Sequence, residues 1–289
     1  MGDRRVRFGV LAYGTRDSLH VEAFGSLLSI LAHAPADADA VILTDRPERY
    51  RWFGDLVTVH ALSAETLNAW QGPGRDRYRP KIEALRHLAS PGDAHVVLLD
   101  TDTFARRSLE PFVDRLEAGS FLLHTREYSL SSPPRKRDRS LTRDVLGRSW
   151  NGLRAKPDAA MWNGGVIGCS RSHLAVLDQL PGVFDALRAG CRHFAVEQLT
   201  YSVVFASAGR IEEASPWFDH YWANRVFFQK AIERDLLATF MERIPPAEAA
   251  ERVRAHPIVG PLDGRLPKWR TSVSRWLART GIVGAETSE

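Results

Sequence analysis

Val96-Val-Leu-Leu-Asp-Thr-Asp-Thr-Phe104 is the stretch on which the reading of the fold turns. With His95 it forms a short, continuous apolar run, set off upstream by Pro91-Gly92. A run of that length after a break predicts a central strand covered on both faces. The strand ends on two aspartates, Asp100 and Asp102. Side chains at i and i+2 of an extended chain point the same way, so both carboxylates arrive together at the carboxyl end. Like charges held together are costly without a cation between them. Hard divalent ions such as Mn²⁺ and Mg²⁺ take oxygen ligands of this kind and share them with substrate phosphates. A bare Asp-x-Asp also reads as a turn whose aspartates cap a helix. Its position directly after a buried strand favours a metal-diphosphate site, because open α/β sheets bind ligands outside the carboxyl ends of their strands.

The chain upstream agrees with that placement. Arg5 to Ala12 reads as a buried strand. A helix follows, with Val21, Phe24, Leu27, Leu28 and Leu31 at helical spacing and Pro35 beyond its end. Short strands are expected at Ala40 to Leu43 and Val57 to Leu62, and a helix at Lys81 to Leu88. Strand and helix therefore alternate up to Asp100, which predicts an α/β sandwich around a largely parallel sheet. Downstream, residues 126–158 carry Arg135-Lys-Arg-Asp-Arg139 and further basic residues. This stretch reads as a long, polar, mobile loop inside the domain. Helices are expected at Leu174 to Ala189, Val196 to Ser207 and Lys230 to Arg243. The aromatic cluster Trp217-Phe-Asp-His-Tyr-Trp222 precedes the last of these.

The chain has 289 residues, 44% apolar and 26% charged, which excludes a disordered or fibrous chain. Basic and acidic residues nearly cancel, 39 against 35, so bulk charge gives no reason to expect a nucleic-acid partner. Two cysteines, Cys169 and Cys191, are too few for a disulfide framework, and neither lies in a zinc-type spacing. A reduced, cytoplasmic setting is expected. No apolar window is long enough for a signal peptide or a membrane span.

Four motifs, taken together and in order, resemble the GT-A glycosyltransferases, and within them the glycogenin- and galactosyltransferase-like group (glycosyltransferase family 8). They are Leu98-Leu-Asp-Thr-Asp102, the basic helix start Arg77-Tyr-Arg-Pro-Lys81, the turn Met161-Trp-Asn-Gly-Gly-Val-Ile-Gly168, and Ala195-Val-Glu-Gln198. The resemblance implies a single GT-A catalytic domain over residues 1–243, followed by a helical extension over 244–289. It implies a nucleotide-sugar donor, a Mn²⁺ or Mg²⁺ ion, and an acceptor that is a carbohydrate, a lipid-linked sugar or a small molecule. Asp100, Asp102 and a later histidine are implied as metal ligands. Here that histidine is His220, in His220-Tyr-Trp-Ala-Asn-Arg225, where Ala223 replaces the family's glycine and the basic residue comes one place early.

The family places the donor's base and ribose at strand ends near Ala12, Tyr13 and Asp45. Arg77 and Lys81 would neutralise the diphosphate, and Thr101 and the turn Asn163-Gly164-Gly165 would face the donor. Two glycines beside an amide side chain suit close approach of a sugar to the backbone. Glu197 or Gln198 would lie beneath the anomeric carbon in a retaining reaction. Two other readings stand beside this one. A haloacid-dehalogenase-like phosphatase would use Asp100 as nucleophile, but Phe104 departs from that family's pattern. A non-catalytic nucleotide-sugar-binding relative is the other. In residues 268–280, Trp269, Val273, Trp276 and Leu277 share one helical face amid arginines, a pattern that suits packing on the domain or peripheral contact with the inner membrane.

Overall fold

The computed structural model describes residues 5–150, 152–156 and 158–258. The chain begins β1 (Val6–Ala12), α1 (Asp17–His33), β2 (Asp39–Thr44), a 3-10 stretch (Pro47–Leu56), β3 (Thr58–Ala61), α2 (Ala64–Trp70), α3 (Arg79–Ala89) and β4 (His95–Leu99). Then come β5 (Thr103–Ala105), α4 (Glu110–Glu117), β6 (Phe121–Leu123), β7 (Arg126–Ser129), α5 (Lys136–Val145), β8 (Ser149–Trp150), β9 (Leu153–Arg154), β10 (Ala160–Trp162) and β11 (Val166–Cys169). The chain continues through α6 (Leu180–Gly190), α7 (Val196–Ala208), β12 (Ile211–Glu213), β13 (Phe218–His220), α8 (Arg225–Met241) and α9 (Pro246–Ala255).

Seven strands form one central sheet in the order β12-β6-β11-β4-β1-β2-β3. All neighbours run parallel except β11, which is antiparallel to both β4 and β6. The protein is thus an α/β structure with a mostly parallel sheet. β4 lies in its middle and is buried along its whole length. Its side chains alternate: Val97 and Leu99 enter the apolar cluster beneath α1, α4, α8 and α9, while Val96 and Leu98 enter the cluster beneath α3, α6 and α7. Each such side chain taken fully out of water contributes roughly 1.5–3 kcal/mol. The strand is therefore pinned from both faces, and its carboxyl end is a fixed point.

Three expectations change on contact with the structure. Residues 126–158 are not a featureless loop. β7 pairs antiparallel with β10, α5 buries Leu141 and Val145, and β8 and β9 close a small hairpin on Trp150. The single helix expected over 174–189 is a 3-10 stretch (Arg171–Gln179) followed by α6, whose first turn holds Pro181. Proline lacks the N–H that would continue the preceding helix, so the chain restarts there. The last described helices also differ. α8 begins at Arg225, five residues before the expected Lys230, and α9 packs on α1 with Ala249 and Ala250 in the main core. The amphipathic segment 268–280 lies outside the described residues. Among the described residues no helix is long and apolar enough to cross a membrane.

Candidate functional site

β4 hands the chain to Asp100 at its carboxyl end, where Asp100 N–H donates to the Gly165 carbonyl at 2.9 Å. The turn is closed by Thr103, whose N–H and hydroxyl both donate to the Asp100 carbonyl. β5 then pairs antiparallel with β13, which puts His220 opposite Thr103. Tyr221 N–H adds a bond to the Asp102 carbonyl at 3.0 Å. This short ladder brings a histidine from far along the chain to the two aspartates. His220 Nε2 lies 3.2 Å from Asp102 Oδ1 and 3.7 Å from Asp100 Oδ2. One ligand atom from each of the three residues falls within 4.8 Å of the others.

The tautomer of His220 follows from its neighbours. Asn163 Oδ1 accepts from Gly165 N–H at 2.9 Å, while Asn163 Nδ2 donates to Glu127 Oε1 at 3.2 Å, so the amide orientation is settled by the network. His220 Nδ1, 2.8 Å from that same Oδ1, must then be a donor. The Nε2 lone pair is left facing the aspartates. An imidazole lone pair against a carboxylate oxygen at 3.2 Å calls for positive charge between them, a proton or a metal ion. Two carboxylates and one imidazole, with the ring's other nitrogen tied to an oriented acceptor, are a donor set that fits a divalent cation. Gly165 is required for it, because a Cβ there would stand 2.2 Å from His220 Nδ1.

Behind the cluster lies a second charged group. Lys81 Nζ sits 2.6 Å from Asp100 Oδ1 and 3.3 Å from Glu197 Oε1, and donates to the Gly164 carbonyl at 2.7 Å. Burial works against the Lys81 ammonium, but Asp100 and Glu197 outweigh it and push its pKa up. Burial raises Glu197 to about 7, against the pull of Lys81. Asp102 goes the other way. Burial would raise it, but its hydrogen bond and charge contact with His220, together with Arg225, hold it below the usual carboxylate range. His124, half-buried beside His220, is lowered to about 4 by burial first and then by that ring, so it is neutral.

The cleft in front of these residues encloses about 630 Å³. Asp100, Thr101, Asp102, Asn163, Gln198, His220 and Arg225 line it. Of the pair expected beneath the anomeric carbon, Gln198 faces the cleft, whereas Glu197 is buried behind it against Lys81. Lys81 itself bonds the Gly164 carbonyl and pairs with Asp100 and Glu197, so it acts as counter-ion to the carboxylates rather than as a free cation. Arg77 lies over the Tyr78 ring, 4.8 Å from its centroid, and is not among the residues lining the cleft. Tyr13 and Asp45 stand at the carboxyl ends of β1 and β2, next to the fully buried Ala12. Asp45 Oδ1 accepts from Gly14 N–H at 3.0 Å, and Tyr13 hydroxyl donates to the Arg77 carbonyl at 3.3 Å. Burial, then Asp45, raises the Tyr13 pKa.

Several residues at the site were not singled out from the sequence. His20 bonds the Gly14 carbonyl and the Tyr50 hydroxyl and so holds the loop after β1. Glu22, on α1, takes Arg225 in a bidentate pair. Glu127, Tyr128, Pro134, Arg135 and Asp138 come from the segment expected to be a loop and form the outer wall with His193, Phe194 and Trp222. Only the signal of an isolated charge inside an apolar helix could have marked Glu22. No family model matches the chain, and no match is found among curated proteins.

Proposed function

We propose that the protein is a metal-dependent glycosyltransferase of the GT-A fold, moving a sugar from a nucleoside-diphosphate sugar, UDP-linked, to a hydroxyl acceptor with retention of configuration. One observation carries this reading. Asp100 and Asp102 at the end of a buried central strand meet His220 within 4.8 Å, at the edge of a cleft of about 630 Å³. A bound Mn²⁺ would act there as a Lewis acid on the developing charge of the nucleoside diphosphate. Asp100, Asp102 and His220 would hold it. Asn163 accepts from His220 Nδ1 and so aims Nε2 at the two aspartates, Lys81 offsets the negative charge of Asp100 and Glu197, and Arg225 offers cationic donors to the phosphates. Gln198, a neutral amide, lines the cleft beside Gly164, where a reacting sugar would stand. A neutral group there suits stabilisation of a cationic sugar in a retaining reaction.

The test is a thermal-shift screen of nucleoside-diphosphate sugars with and without Mn²⁺. A ligand of the native state stabilises by about 2.7 kcal/mol at a hundredfold excess over its dissociation constant. A Mn²⁺-dependent shift with a UDP-sugar, lost in Asp102→Ala, is expected. No shift with any nucleotide sugar, or an equal shift in Asp102→Ala, overturns the reading. Phosphate release from phosphomonoesters without sugar transfer would put the phosphatase first, and binding without turnover the non-catalytic relative.

A further inference from the structure

Glu22 is fully buried in the middle of α1, among Ala23, Phe24 and Leu27. A carboxylate in such a place is costly unless its oxygens are all paired. They are: a carboxylate offers about four lone-pair sites, and four donors take them. Gln229 Nε2, at 2.6 Å, and Arg225 Nε share Oε1, while Thr101 Oγ1, at 3.1 Å, and Arg225 Nη2 share Oε2. The partners come from two places that matter to the cleft. Thr101 stands between the two metal aspartates, and Arg225 opens α8.

Arg225 is tied along one edge only. Its Nη1 lies 3.9 Å from Asp102 Oδ2, beyond hydrogen-bond range, and the side chain is 34% exposed on the cleft. The guanidinium is thus held just short of a metal carboxylate. We propose that Glu22 is a positioning residue that restrains Arg225 from pairing with Asp102, leaving Arg225 for the donor diphosphate and Asp102 for the ion. This rests on the function proposed above. Without the charge of Glu22, Asp102 is the nearest carboxylate left to the guanidinium. Arg225 then swings onto it and competes with the metal. A merely structural ion pair would lower stability when broken, but would leave the metal affinity of the folded protein unchanged.

The experiment measures Mn²⁺ binding to the full chain by electron paramagnetic resonance, and UDP binding in the presence of Mn²⁺ by calorimetry. Glu22→Gln is expected to weaken Mn²⁺ about 10–100-fold, the range for groups that orient metal ligands. Adding Arg225→Gln to it removes the competitor and restores Mn²⁺ affinity, while UDP binding stays weak. Arg225→Gln alone, at a half-exposed position, keeps Mn²⁺ affinity and loses UDP affinity by roughly tenfold, the worth of a charge-assisted hydrogen bond. Unchanged Mn²⁺ affinity in Glu22→Gln overturns the proposal, as does a double variant no better than Glu22→Gln. Should Glu22→Gln not fold, Glu22→Asp decides: its shorter carboxylate cannot hold the guanidinium along both oxygens, so weakened Mn²⁺ supports the proposal and unchanged Mn²⁺ affinity overturns it. A wild-type chain that binds no Mn²⁺ is a different result, and removes the proposed function together with this inference.

Discussion

The two walls of the cleft are built differently. The inner wall sits on the ends of β4, β11 and β13 and on α3 and α7, and its amide and ammonium groups are tied to several neighbours each. Asn163 serves His220, Gly165 and Glu127, and Lys81 serves Asp100, Glu197 and Gly164. The outer wall comes from β7, the first turn of α5 and the chain between them, and from the turns carrying Phe194 and Trp222, which are 47% and 60% exposed. A wall fixed by strand ends and mutual hydrogen bonds suits the part of a reaction that does not vary, here the metal and diphosphate of the proposed donor. The exposed turns of that wall, at Phe194 and Trp222, tolerate change, which suits choice among acceptors. If the comparison holds, substitutions inside are costly and those outside are cheap.

The largest expected effect is at Lys81. Replacing it with methionine leaves Glu197 buried without its cation and Asp100 without its counter-ion. Breaking a buried pair from one side costs about 3–5 kcal/mol. Urea unfolding of Lys81→Met at pH 8 should show a loss of that size. A loss below about 1 kcal/mol would mean that the inner wall is no more committed than an exposed ion pair.

Glu197 sharpens the same point through pH. Its folded value of about 7 lies above the ordinary 4.5, because burial disfavours the charged form. The folded state then holds the proton more tightly than the unfolded one. The stability from Glu197 is complete below pH 4.5 and is lost as pH rises through 7. Wild type should therefore lose about 3 kcal/mol relative to Glu197→Gln across that window. Denaturant midpoints at pH 4.5, 6 and 8 check it, and parallel curves for the two proteins would refute it.

Much of the inner wall could be read from the sequence, because its parts are local. An apolar run ending in Asp-Thr-Asp declares both the strand and the two carboxylates, and Asn163-Gly-Gly declares a turn. His220 follows from a resemblance rather than from spacing, since only the β5–β13 ladder shows why it arrives there. Glu22 stayed hidden because its partners, Thr101, Arg225 and Gln229, are distant in the chain. On its own it reads as one polar position in an apolar helix. The outer wall was hidden for another reason. In α5 the buried Leu141 and Val145 are sparse among arginines, and their periodicity is masked by charge. Helices after residue 170 were blurred at their ends by Pro181 and by the aromatic start of α8.

Adjacent glycines test how tightly the inner wall is packed. At Gly165 an added Cβ meets the His220 ring, 2.2 Å from Nδ1, whereas at Gly164 the nearest atoms, on Gln198 and Glu197, are at an ordinary 3.4 Å. Gly165→Ala should cost about 1–3 kcal/mol, as overpacking does, and should weaken Mn²⁺ binding by moving His220. Gly164→Ala should do neither. Melting temperatures and Mn²⁺ titrations of the two variants make the comparison, and equal behaviour would show that His220 yields freely.

The smallest effect is expected on the outer wall, at Trp222. Its ring is mostly in water, so Trp222→Ala removes little buried area, and surface changes of this kind fall within about 0.5 kcal/mol. His220 and Asp102 are held from the backbone of β13 and Tyr221, not by the Trp222 side chain, so Mn²⁺ and UDP affinities should match wild type. What Trp222 does contribute is a flat apolar face at the rim of the cleft, where an acceptor would enter. The variant should therefore raise the acceptor's KM and leave the donor's KM unchanged. A variant that loses donor or metal affinity would show that the outer wall takes part in holding the diphosphate, and the division between the walls would fall.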